Sequence, residues 1–462
     1  MHINKIIKGN SLLFVVIFFL LLSGCATFSK SYPAQMAPVK TAMEKNNIKE
    51  AQKKLDENIG KTPTTLGLLE KARLAQLDNN FELSKKYYAS VIDMVATSKM
   101  AAKIQASKIL ENFGAVLTND RELSYHIPDY AMTFLYPYQA LNYLAQHDLS
   151  GALVAIRQLS NAQYWSYQQR LMAGELQSKY QKQTSKAGID EDKLGLKKSK
   201  EISAMFDQAK QINNAYENGF AYYLSSILYE AFDDNYNNAF VSIKKARQLL
   251  PDNKYVNQTY QEMQKGFDGG SAYQKNHGRL VVIYEQGFVQ PKLAFKLPLF
   301  LGKLGLQEVA VPYYPTKYTL LPQVSISVTQ QNKIIHNAPS AILVDTTKMA
   351  LKSLSEEYPA IITREVIRLV IKSLATLEAS NQAGGWGLLV GSIYSFATAQ
   401  ADERSWLLLP NNVQLYESQL QAGDYHINIQ AQNFPVTIKS QKTTLLWLVD
   451  AGGFLKPFTF IL

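Results

Sequence analysis

The residues of this 462-residue chain that could do chemistry are few, and most sets lack the spacing their chemistry needs. Five histidines, His126, His147, His277, His336 and His426, lie beyond the first two dozen residues. None has a second ligand four residues on or a CxxC partner, so zinc-site spacing is absent and no metal or other cofactor is expected. GxSxG, HExxH and phosphate-loop patterns are missing as well. Gly384-Gly385-Trp386-Gly387 resembles a nucleotide loop only in composition, without the strand, helix and downstream acid. Glu356 and Glu357 are adjacent, which on a helix turns them about 100° apart and makes them a poor acid and base pair. Carboxylates paired across a fold leave no linear signature. His277, Asp345, Glu357 and Asp402 therefore stand as the titratable candidates of the C-terminal region.

The sharpest chemical feature is the single cysteine, Cys25. It closes an apolar run, Leu12 to Leu22, that follows Lys5 and Lys8. This is the layout of a secretory signal, and at 11 residues the run is too short to span a bilayer. Leu22-Ser23-Gly24-Cys25 resembles the lipobox of bacterial lipoprotein precursors. The resemblance implies that Leu22, Ser23 and Gly24 are read by the processing enzymes. Cys25 would then carry acyl chains as the first mature residue. One acyl chain binds a membrane marginally, and two or three hold durably. Ala26, where an aspartate would favour inner-membrane retention, points to the outer membrane.

Removing residues 1–24 lowers the formal charge from +10 to +8, because Lys5 and Lys8 leave. A basic balance can signal nucleic acid, but an exported address argues against that partner. Hydrophobic content of 47% and charged content of 19% suit a folded body. With its only cysteine acylated, that body has no disulfide and depends on packing. Lys193, Lys197, Lys198 and Lys200 form the one local basic cluster. It reads as a solvated loop, or as a contact for anionic headgroups or cell-wall polymer.

The elements that must position these residues fall into two textures. Residues 25–38, with Pro33 and Pro38, read as an extended lipidated tether. Residues 39–265 read as helical and repetitive. Ile48–Ala51–Leu55, Phe81–Ser84–Tyr88, Leu149–Ala152–Ile156 and Tyr236–Ala239–Ile243 share one spacing, each preceded by Asn47, Asn80, Asp148 or Asn235. A polar turn residue followed by apolar, small and apolar positions at i, i+3 and i+7 describes one face of a helix whose small residue permits a close crossing. The first two starts are 33 residues apart and the next pair 68, so the period resembles that of tetratricopeptide helix pairs. An insertion is expected from about Tyr164 to Ala209.

Gly266, Gly269 and Gly270 end that texture. Residues 271–462 read as an α+β region. Strands are expected at Arg279–Tyr284, Leu321–Val328 and Ser340–Val344, a helical insertion at about 346–400, and strands again over 405–462. Tyr425, Ile427 and Ile429 alternate with polar residues, and Leu445–Val449 and Phe454–Leu462 read as buried strands. Trp386 to Ala399 is apolar, with Gly387 and Gly391 at close-packing spacing. A buried helix, a docking helix and an interfacial membrane helix all fit it.

The order of these parts is similar to a family of bacterial outer-membrane lipoproteins with tetratricopeptide-like repeats and no assigned activity. The resemblance rests on Tyr138-Gln139-Ala140-Leu141-Asn142-Tyr143-Leu144, Asn218 to Leu224 with Tyr229-Glu230-Ala231, Gly278 to Glu285, and Ala401-Asp402-Glu403-Arg404-Ser405-Trp406. The expected fold is multidomain: an all-α tetratricopeptide-like array followed by an α+β region ending in a small β-sandwich. The expected function is a protein–protein adaptor or scaffold in envelope assembly or cell-wall synthesis. It would be held to the periplasmic face of the outer membrane by its acyl chains and would engage an envelope protein. Asn142, Tyr223 and Glu230 are the expected groove-facing residues. The alternative is an envelope hydrolase or transferase using the C-terminal carboxylates.

Overall fold

The computed structural model describes residues 30–59, 64–105, 125–186, 199–232, 236–300, 306–317, 320–362, 365, 401–453 and 455–462. The signal segment with Leu22, Ser23, Gly24 and Cys25, the lysines at 193, 197 and 198, and the apolar stretch 386–399 lie outside them. Helices precede strands along the chain. The helices are α1 (Tyr32–Glu44), α2 (Ile48–Ile59), α3 (Thr65–Leu77), α4 (Phe81–Gln105), α5 (Asp129–Ala145), α6 (Leu149–Lys186), α7 (Lys200–Ala209), α8 (Gly219–Phe232), α9 (Tyr236–Leu249) and α10 (Lys254–Phe267). No helix of the described residues is long and apolar enough to cross a membrane.

The first three hairpins, α1–α2, α3–α4 and α5–α6, turn by one chemical device. A residue with left-handed backbone, Asn46, Asn79 or His147, follows the first helix. The next amide donates five residues back, from Asn47 to Ala42, Asn80 to Ala75 and Asp148 to Tyr143, each at 2.9 Å. The side chain of that same residue then caps the second helix, accepting from the amide of Glu50, Leu83 or Gly151. Ile48, Phe81, Leu149 and Tyr236 each begin a helix. The small residues Ala51, Ser84, Ala152 and Ala239 are all fully buried.

From Tyr32 onward the expected tether is helix. Ser31 caps α1, Pro33 sits in its first turn where a missing amide is harmless, and Met36 and Val39 are buried. Serine and proline together marked a helix start rather than an extended linker. The expected insertion at Tyr164 is, in its first part, the uninterrupted continuation of α6.

The strands are β1 (His277–Gln286), β2 (Leu293–Phe300), β3 (Leu306–Tyr313), β4 (Ser325–Gln330), β5 (Lys333–Pro339), β6 (Ala341–Asp345), β7 (Asn412–Gln421), β8 (Gly423–Ile429), β9 (Gln432–Ile438), β10 (Thr443–Asp450) and β11 (Leu455–Ile461). Helix α11 (residues 346–362) follows β6. A five-stranded sheet runs β11-β10-β1-β7-β6, with β1 and β10 parallel and the other pairs antiparallel. A four-stranded antiparallel sheet, β5-β4-β8-β9, packs on it through β9. β2 and β3 form a separate ladder that carries Pro298 and Pro312.

β1 and β10 are buried along nearly their whole length because the five-stranded sheet is covered on both faces. One face meets the four-stranded sheet. The other meets the first helices of the hairpins, which explains why α3, α5 and α8 are buried nearly all round. A single hydrophobic cluster runs from Tyr32 to Leu462. The helical and strand-bearing parts thus share one core. Gly453, in the β10–β11 turn, packs so tightly on the C-terminal end of α1 that an added Cβ would lie 1.6 Å from the Glu44 carbonyl oxygen.

Candidate functional site

The densest polar chemistry lies where the sheet meets the helices. Side chains alternate along β1, so Arg279, Val281, Ile283 and Glu285 share its helix-facing side. The Arg279 guanidinium donates to Glu230 of α8 and to Glu262 of α10 (3.0 Å), and it lies 3.7 Å from Glu417 of β7. Tyr236 and Tyr273 donate to Glu230 at 3.0 and 3.3 Å. Both carboxylate oxygens of Glu417 are buried without a hydrogen-bond partner. Burial, reinforced by the neighbouring Glu262 carboxylate, raises Glu417 well above the usual carboxylate range, with Arg279 opposing.

Six residues along the same strand, Glu285 accepts from Arg73 of α3, from Tyr138 Oη of α5 (3.1 Å) and from Trp447 Nε1 of β10 (2.8 Å). The Arg73 guanidinium stacks over the Tyr138 ring at 4.3 Å. Arg73 also donates to Gln76 (2.8 Å), Gln76 to Asn142 (2.8 Å) and Asn142 to Ser84 of α4 (2.8 Å). The network ties three hairpin helices to the sheet.

Asn142, Tyr223 and Glu230 do not face an open groove. Asn142 and Tyr223 are fully buried, and the Glu230 side chain is 5% exposed. Asn142 serves the network just described, Tyr223 Oη pairs with Thr259 at 3.0 Å, and Glu230 neutralises Arg279. The face expected to receive a partner is filled by the chain's own sheet. Two sequence signals pointed that way. An open groove needs polar residues on its lining helices, and α8 begins Gly-Phe-Ala-Tyr-Tyr-Leu. Arg279 and Glu285 also bracket five apolar or aromatic residues, and buried charges require partners from elsewhere.

A second anchor is Glu70, buried on α3. It accepts from the backbone amides of Leu407 (2.7 Å) and Leu408 (3.1 Å) and from Tyr32 Oη (3.2 Å). These bonds hold residues 405–409, wholly buried just before β7, and within that segment the Trp406 ring packs 5.9 Å from those of Tyr88 and Tyr138. Burial raises Glu70 to about 7 against the opposing pull of those two amides. Burial also lowers Lys40 of α1 to about 8, with Glu70 opposing.

The titratable candidates separate. His277 is half-buried at the start of β1, its Nδ1 2.8 Å from the Lys275 carbonyl. Asp345 caps α11 through the Lys348 amide at 3.0 Å. Glu356 and Glu357 find different partners: Glu356 pairs with Lys352 at 3.6 Å, whereas Glu357 accepts from Ser353 at 3.1 Å. Asp402 is gripped by Arg404, whose Nε and Nη2 each lie 2.9 Å from its carboxylate. Glu357 and Asp402 do act on a common group, Lys292: both oppose the lowering of its ammonium that burial causes. Burial raises Glu357, and Lys292 and His126 oppose that. Among the described residues no group of three histidines, cysteines or carboxylates could hold a metal ion. No protein-family model, curated protein or solved structure matches this chain.

Proposed function

We propose that this protein is a lipid-anchored scaffold on the periplasmic face of the outer membrane, built on tetratricopeptide-like hairpins and engaging an envelope protein. The observation that carries the scaffold reading is the filled hairpin face. A repeat array whose shared face is sealed by its own sheet is a stiffened body, and it offers partners its outer surfaces. The turns and buried small residues repeat in the manner of tetratricopeptide pairs, which supports the repeat assignment. The address rests on Leu22-Ser23-Gly24-Cys25.

The test joins address and role. Cys25→Ala should release the protein from the outer-membrane fraction. Crosslinking in intact envelopes should capture a defined envelope protein, and substitutions on the exposed outer helices α2 and α9 should abolish its capture. Firm membrane pelleting of Cys25→Ala would remove the address, and capture of nothing above background would remove the scaffold role.

A second reading, an envelope hydrolase or transferase, draws on Lys292 lying within electrostatic reach of Glu357 and Asp402. Glu357→Gln should then abolish a turnover of cell-wall or lipid substrate shown by the parent. An unchanged turnover would exclude that role for Glu357.

A further inference from the structure

The hairpin geometry says which end of the body meets the leaflet. Because the hairpins are antiparallel, the start of α1, the end of α2 and the start of α3 lie at one end. Asn58 donates to the Gln35 carbonyl at 2.6 Å, and Ile59 lies against Gly67. Thr65, at the start of α3, reaches Met94 of α4 at 3.6 Å. At this end α6 overshoots its partner. It has 38 residues against 17 in α5, so about 30 Å of it extends past the start of α5. Tyr164, Trp165 and Tyr167 sit where α6 leaves α5 and are 61%, 45% and 44% exposed. Such exposure is costly in water for aromatic rings, yet it suits the headgroup layer, where a ring meets apolar matter and its polar atom meets water.

The chain before α1 limits the choice of occupant. Tyr32 is packed into the body, so only residues 26–31 separate it from Cys25, a reach of about 25 Å. A body held that closely by its α1 end must turn that end toward the leaflet. We infer that Tyr164, Trp165 and Tyr167 form a second membrane contact that seats the α1 end of the body on the headgroup layer. This rests on the lipid-anchor reading above.

The test uses the acylated mature protein in vesicles of phosphatidylethanolamine with a minority of phosphatidylglycerol, some acyl chains brominated near the headgroup. Trp406 and Trp447 are buried in the core and stay out of reach of the quencher. Quenching of tryptophan fluorescence in the parent should be largely lost in Trp165→Phe and retained in Trp386→Phe, with circular dichroism unchanged in both. Flotation with vesicles, read separately, should depend on acylated Cys25 and be indifferent to Trp165. If Trp165→Phe floats and is quenched like the parent, the second contact is overturned while the anchor stands. If Trp165→Phe instead dissolves an oligomer of the parent without changing quenching, the aromatic patch is a contact between copies and the inference fails. If acylated Cys25 is dispensable for flotation, the anchor reading fails first.

Discussion

Buried charges at the junction specify one arrangement more than they add stability. Desolvating Arg73 and Glu285 costs several kcal/mol per ion, and only the full set of partners offsets it. Removing one partner should therefore be worse than replacing the pair. Arg73→Met should destabilise the protein by about 3–5 kcal/mol by leaving the Glu285 carboxylate uncompensated. Adding Glu285→Gln should restore most of that, since the amide oxygen can still accept from Trp447 Nε1 while the amide nitrogen donates to Tyr138 Oη. Denaturant unfolding of both singles and the double would show it, and additive losses would refute it. Glu70 gives a pH signature. A carboxyl whose folded pKa is raised binds its proton more tightly in the folded chain. It therefore stabilises the fold below about 4.5, and that contribution is lost as pH rises through about 7. Across that window it tilts stability by roughly 3 kcal/mol. Glu70→Gln should flatten the fall in melting temperature between those pH values, and an unchanged slope would show that Glu70 is not its source.

Among helices and strands, close approach decides which substitutions hurt. The β10–β11 turn touches α1 at Gly453 with no room for a methyl group. Gly453→Ala should push the turn off α1 and cost about 1–3 kcal/mol. Gly270→Ala has a nearest approach of 3.0 Å and should cost less, so equal melting temperatures for the two variants would contradict this packing. The helix starts were legible because they are local. Asn47, Asn80 and Asp148 carry both the turn and the cap, and the small residue three places into each helix marks a crossing. The start of α1 was misread for an equally local reason, since Ser-Tyr-Pro serves both linkers and first turns. The edges of β4 moved as well: strand was expected from Leu321, and it begins at Ser325, after Pro322.

One continuous core implies one unfolding event. Trp406 and Trp447 sit at the junction while helix dominates the far-ultraviolet signal, so fluorescence and circular dichroism should report the same midpoint. Two separated transitions would mean that the helical and strand-bearing parts stand alone. A chain ending at Asp268 should bind hydrophobic dyes, because α3, α5 and α8 would expose faces that only the sheet covers. The linear order of residues determined the helices, their turns, the alternating strands and the candidate lipid-attachment cysteine, since each depends on neighbours within one or two turns of chain. It did not determine that the hairpin face is closed. That depends on residues 273–286, 405–417 and 443–458 meeting residues 70–76, 138, 230 and 262, contacts whose charges and shapes become complementary only when the chain has folded back on itself.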